Sequence, residues 1–215
     1  MGRVPGWLQR FAASHGGVTV VAGAGGAVHL AAPDGTQAFW RCPGRDLAGG
    51  APAGSPLQAE DVLDRLLLPR VALVLLLRRG GAVAGVVAVD RDGSQVLDAR
   101  VRVARVQART AAGGWSQQRF ARRRAGQAAG LVRDAAASAA TVWAPHTGRA
   151  DLLAVGGDRE LCAAALAALP ASVAGAANLV RQDLALTADP RRRVLDDLAR
   201  DVGGLHVRVQ DPPRG

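Results

Sequence analysis

Residues 71–77 read Val-Ala-Leu-Val-Leu-Leu-Leu, an apolar run closed by Arg70 and Arg78. It carries large aliphatic side chains at odd and even positions alike. In a strand these point to opposite faces, so both faces need cover. The run is far shorter than the roughly 18 residues that cross a bilayer. It is therefore read as the central strand of a sheet with other elements packed on both sides. Arg79-Gly80-Gly81 turns the chain, Ala82 to Asp90 forms a second strand, and Asp92-Gly93 turns it again. A third strand runs from Gln95 to about Gln107. Asp98, Arg100 and Arg102 are expected on one face, and Leu97, Ala99, Val101 and Val103 on the other.

Around this meander the rest of the chain falls into shorter pieces. Residues 5–14 form a helix with Trp7, Leu8 and Phe11 inward, ended by Gly16-Gly17. Strands follow at Val18 to Ala22, Ala27 to Ala32 and Gln37 to Cys42, the last two joined at Pro33-Asp34-Gly35-Thr36. Residues 43–55 have linker composition. Ser55-Pro56-Leu57-Gln58 has the pattern of a helix start with a capping box, and that helix should end before Pro69. A long helix is expected from Gln118 to about Val142, with Ala121, Ala125, Ala128, Val132 and Ala136 as its buried stripe. Then come a strand at Asp151 to Val155, a helix capped by Asp158, a strand near 179–185, a helix opened by Asp189-Pro190 and a strand at His206 to Val209. The alternation gives an α/β fold, a mixed sheet flanked by helices. Residues 1–55 are read as a small N-terminal segment plus linker, and 56–215 as the main domain.

The charge is unevenly placed. All 27 basic residues are arginines, and the formal charge is +9. Residues 61–150 hold 15 arginines against 6 acids, while the segments before and after are close to neutral. Replacement of lysine by arginine explains the residue type but not its concentration. Guanidinium groups pair with phosphate in fork geometry and stack on bases, so the middle of the chain suits a nucleic-acid partner. Cys42 and Cys162 lie far apart in the sequence, and the four histidines are scattered, so no metal site is expected. Two cysteines at no framework spacing fit a reduced, cytoplasmic protein. The chain has no heptad pattern and is expected to be a monomer without membrane contact.

The chemistry-bearing segment is Gly113-Gly114-Trp115-Ser116-Gln117-Gln118-Arg119 and the residues after it. Two glycines free the backbone of a loop tip. Ser116 caps the helix, which puts Gln117 and Gln118 in its first turn. Backbone N–H groups there lack intrahelical acceptors and the helix dipole is positive, so an oxyanion is favoured. Arg119, Arg122 and Arg123 share one helix face, and Arg124 flanks them. The bland alternative is a Gly-rich turn before a basic helix, with Trp115 a surface aromatic.

Arg119-Phe120-Ala121-Arg122 after the Gly-Gly tip resembles the catalytic domain of eukaryotic and archaeal class-1 peptide-chain release factors. Those carry Gly-Gly-Gln, whereas here Trp115 and Ser116 stand between Gly114 and Gln117. That spacing is similar to the Vms-like release factors, in particular the actinobacterial peptidyl-tRNA hydrolase branch. The resemblance spans about residues 61–160 and more loosely reaches 202. It implies a release-factor-like catalytic domain of RNase H-like layer architecture. It implies hydrolysis of peptidyl-tRNA on stalled ribosomes, with the large subunit, its rRNA and peptidyl-tRNA as partners and no cofactor. On that analogy Gln117, or Gln118 one residue on, orders the attacking water. Gly113, Gly114 and Ser116 shape the tip. Arg109, Trp115, Arg119, Arg122, Arg123 and Arg124 contact RNA. Two other readings stand beside it: a ribosome-binding rescue or hibernation factor that cleaves nothing, and a nuclease of the tRNA 3′ end.

Remaining candidates carry less. His146 is the nearest general base in sequence, but its spacing implies no contact with the tip. Arg191-Arg192-Arg193 is a second phosphate contact or a solvated helix face. Gly156-Gly157-Asp158 is a ligand turn or a tight strand-to-helix connection, and Asp61 and Asp64 favour the start of their helix.

Overall fold

The computed structural model describes residues 4–104 and 116–212, and the side chains of all of these except 116–121. The chain divides into two units, one of Met1–Arg70, Val89–Gly93 and Gly203–Gly215, the other of Val71–Ala88 and Ser94–Val202.

The first unit opens with α1 (Val4–Ser14), which buries Leu8 and Phe11. Trp7 stacks on Phe11 at 5.0 Å and leans on Trp40 at 5.7 Å. Gly16 and Gly17 then take positive φ and end the helix. Strands β1 (Thr19–Ala22), β2 (Val28–Ala31) and β3 (Gln37–Arg41) form an antiparallel meander. Its inward positions Val20, Val28, Leu30, Ala38 and Trp40 are buried in one core with Leu8, Phe11 and the helix α2 (Ala59–Leu67).

This helix starts later than the capping box implies. Gln58 occupies the N-cap without a side-chain bond, and Ser55 to Leu57 run alongside β1 instead. Ala22 N–H donates to Ser55 O, and Leu57 N–H donates to Val20 O, each at 2.8 Å, with Pro56 bridging Val21. An exposed strand edge needs partners for its backbone groups, and that need outweighs three more residues of helix. At the other end of α2, Arg45 donates to the carbonyl oxygens of Arg65 and Leu68, which the helix leaves unpaired.

The second unit is built on β4 (Arg70–Arg78), the apolar run, at the centre of five strands. Its neighbours are β5 (Gly81–Val89), then β6 (Ser94–Val103), on one side. The two-residue link between β4 and β5 permits only an antiparallel hairpin. After α3 (Ser116–Trp143) comes β7 (Ala150–Gly157), parallel to β4. After α4 (Arg159–Ala167) comes β8 (Val180–Leu184), parallel to β7. The spatial order is β6-β5-β4-β7-β8. A three-stranded meander joined through helices to two parallel strands in this order is an RNase H-like α/β layer fold. Leu73, Leu75 and Leu77 pack with Leu131, Ala135, Ala139 and Trp143 on one face of the sheet. On the other face, Leu195 of α5 (Arg192–Leu198) lies over Gly85, where a Cβ would stand 2.7 Å from its Cδ2. The last strand, β9 (His206–Gln210), leaves this sheet and pairs antiparallel with β3 in the first unit.

Two patterns differ from expectation. On β6, Leu97 and Val103 are 40% and 65% exposed, although alternation puts them inward. As the outermost strand, β6 has a neighbour on one side only, so its ends find little to cover them. On α3 the buried stripe is Leu131, Ala135, Ala139 and Val142, with Ala136 beside it, Ala128 and Val132 half-buried, and Ala125 exposed. Among the described side chains of the helix, full burial begins at Leu131.

Candidate functional site

The candidate site is the start of α3. Arg109, Gly113, Gly114 and Trp115 lie outside the described residues. Ser116 is the first described residue of the helix. Gln117, Gln118 and Arg119 follow in the first turn. The first four N–H groups of a helix have no intrahelical acceptor, and they carry the positive end of its dipole.

Residues 122–127 are all exposed. Six successive residues exceed one and a half turns, so no face of the helix is covered there. Arg122, Arg123 and Arg124 are within this stretch, and the first carboxylate of the helix is Asp134. The helix thus presents cationic turns at one end and a buried stripe at the other. From Arg122 to Leu131 the helix advances about 14 Å along its axis. Trp143, fully buried, anchors the far end through a hydrogen bond from its Nε1 to Gly85 O at 3.0 Å. The packed half holds the helix in place, and the exposed half is open to a partner.

The lesser candidates resolve differently. His146 lies beyond the C-terminal end of α3, its Nδ1 2.7 Å from an Arg149 guanidinium nitrogen. The helix between it and Gln117 is about 40 Å long, so it does not serve the tip. Arg191 donates to the Gly80 and Pro190 carbonyl oxygens, and Arg192 pairs with Asp196 at 2.9 Å. Both arginines thus serve the fold. Gly156-Gly157-Asp158 is a tight connection. Gly157 has φ +114°, with no room for a Cβ against Leu77 O, and Asp158 accepts from the N–H groups of Glu160 and Leu161. Asp61 lies in the first turn of α2, and Asp64 stands 4.0 Å from Arg91.

The same Gly156-Gly157-Asp158 turn also lines a pair of cavities at the C-terminal ends of β4, β7 and β8. One, of about 400 Å³, is lined by Gly156, Arg159, Cys162 and Arg181; the other, of about 530 Å³, by Arg78, Arg79 and Asp189. Such ends are where open α/β sheets bind ligands. Burial pushes the Cys162 thiol up to about 11, so it stays protonated near neutral pH. Among the described residues no group of three or more His, Cys, Asp or Glu could hold a metal ion. Nor is any helix among them long and apolar enough to cross a membrane.

The second unit is thus a mixed α/β sheet carrying one long helix whose exposed stretch near its start is rich in arginine. Residues 70–209 match the model of the Actinobacteria/chloroflexi VLRF1 release factors, more than half of the chain, and the protein belongs to that family. The match includes the whole of α3. No curated protein matches the chain. Among solved structures, Thermus thermophilus RuvC aligns at TM-score 0.32 and 16% identity, over 62% of this chain and 92% of that one. T. thermophilus RuvC in complex with Holliday junction substrate aligns at 0.30 and 18%, over 62% and 91%.

Proposed function

We propose that this release factor cleaves the ester between a stalled nascent peptide and its tRNA in the peptidyl-transferase region of the large ribosomal subunit. The observation that carries this reading is the start of α3: Gln117 in the first helical turn, followed by arginine-bearing turns uncovered on every face. A cationic rod of this kind suits a channel walled by RNA phosphate. Arg119, Arg122, Arg123 and Arg124 hold phosphates there, with Arg109 and Trp115 as further RNA contacts. Gly113 and Gly114 give the tip the slimness to reach the terminal adenosine of the tRNA, and Ser116 leads into the helix.

In the reaction, water adds to the acyl carbon of the ester. The carbonyl oxygen becomes an oxyanion. The bond to the tRNA ribose then breaks, and the ribose oxygen takes a proton. Gln117 orders the water through its amide, with Gln118 as the neighbouring candidate, and N–H groups of the first turn favour the oxyanion. None of the described side chains acts as the base; the RNA surrounding the ester relays the proton. The reading calls for no cofactor and for a monomer working in the cytoplasm.

The test is release of peptide from isolated large-subunit–peptidyl-tRNA complexes. Gln117→Ala is expected to slow release about 100-fold or more, as does loss of a donor that acts in the transition state. Release by Gln117→Ala at the wild-type rate, with Gln118→Ala inactive, would move the role by one residue. A protein that binds the complex without freeing peptide would be a non-catalytic rescue or hibernation factor. A tRNA recovered without its CCA end would mean cleavage of the nucleic acid.

A further inference from the structure

The outward face of the first unit's sheet has a composition that folding alone does not require. The family match begins at residue 70 and leaves β1, β2 and β3 outside it. Inward positions of these strands are buried, so the alternate positions face outward. On β3 the outward residues include Phe39 and Arg41, both exposed. The antiparallel register sets Phe39 opposite His29 on one side and Arg208 on the other, and Arg41 opposite His206. Directly opposed residues share a face.

The rings of His29 and Phe39 stack with centroids 4.6 Å apart and planes within 6°, and Phe39 remains 37% exposed. Across the outward positions of the four strands stand two arginines and two histidines, with no carboxylate. A solvated sheet face ordinarily alternates in polar side chains. Here it holds a parallel ring pair inside a cationic frame. Every nucleobase has a π-face that stacks on such rings, and guanidinium groups fork onto phosphates. Open antiparallel sheets with exposed rings and flanking cations are suited to single-stranded RNA, whose bases are free to splay.

We propose that this sheet face is a second nucleic-acid site, which takes single-stranded RNA by stacking an unpaired base on the Phe39–His29 pair while Arg41 and Arg208 hold the adjoining phosphates. The choice of RNA rests on the family's place in translation, and the site is independent of the hydrolase reading. It gives the protein a hold on RNA in the unit that does not carry Gln117.

The test uses the full chain and a short single-stranded oligoribonucleotide containing 4-thiouridine, which carries no ester. Affinity is read by fluorescence anisotropy, and photocrosslinks are mapped by mass spectrometry. Phe39→Ala is expected to weaken binding roughly 10-fold, and Phe39→Trp to retain it. Arg208→Ala is expected to weaken binding and lower the salt slope by about one. Crosslinks should fall on the peptides that contain Phe39 and Arg208. Both residues are exposed, and circular dichroism checks that each variant folds. Wild-type affinity in Phe39→Ala and Arg208→Ala, with crosslinks confined to α3, would overturn the proposal. Weakened ribosome binding by Phe39→Ala with unchanged oligoribonucleotide affinity would also overturn it, assigning the face to a protein partner.

Discussion

Trp143 and Gly85 are joined inside the core of the second unit, the indole Nε1–H of one donating to the carbonyl oxygen of the other at 3.0 Å. The bond ties the last turn of α3 to β5. Since residues 122–127 are uncovered, the direction of the helix is set largely at this end. Trp143→Phe keeps most of the ring but leaves the Gly85 carbonyl without its indole donor. A loss of about 2 kcal/mol is expected, read as a lower urea midpoint. Peptide release per folded molecule should change far less.

The arginines are expected to anchor and not to react. Arg122→Ala and Arg124→Ala should each weaken ribosome binding and reduce the salt slope by roughly one for every phosphate that is no longer neutralised. Titrations at several salt concentrations measure this. Rates at saturating protein should stay close to wild type. A fall in the saturated rate with unchanged affinity would give them a part in the chemistry.

Two glycines should respond in opposite directions. At Gly157, φ is +114° and a Cβ would meet the Leu77 carbonyl oxygen, which the sheet holds in place. Gly157→Ala is expected to cost about 3 kcal/mol or more. Gly126 lies in an exposed turn of α3 with nothing within 4 Å of an added Cβ. Gly126→Ala should stabilise the helix by about 0.5–1 kcal/mol. Thermal unfolding of both variants beside wild type decides the point.

Cys162 makes stability depend on alkaline pH. Burial raises its thiol from 9.0 to about 11, so the folded state holds the proton more tightly than the unfolded state. The sign follows: its contribution is intact below pH 9 and is lost as pH rises from 9 to 11. Urea midpoints should therefore fall more steeply over that range in wild type than in Cys162→Ala. In native protein at neutral pH the thiol should resist alkylation, as peptide mapping would record.

Several features could be read from the chain because their causes lie within a few residues. The run from Val71 to Leu77 had to be covered on both faces, and it became the central strand. Asp158 is followed by a helix whose first N–H groups it accepts. The extent of α3 and the arginines near its start follow from spacing and composition.

Other features belong to the tertiary structure. Phe39 meets Arg208 from a strand at the opposite end of the sequence, and no local pattern announces that pairing. Ser55 and Pro56 have a helix-start pattern, yet the edge of β1 draws them into pairing. Among the described side chains the buried stripe on α3 begins at Leu131, although small residues continue toward Gln117. By itself the sequence determined which segments became strands and helices, since periodicity, caps and turns act over a handful of residues. Only the tertiary structure decided which strands are neighbours and which faces stay uncovered, because burial and backbone pairing are settled between segments far apart in the chain.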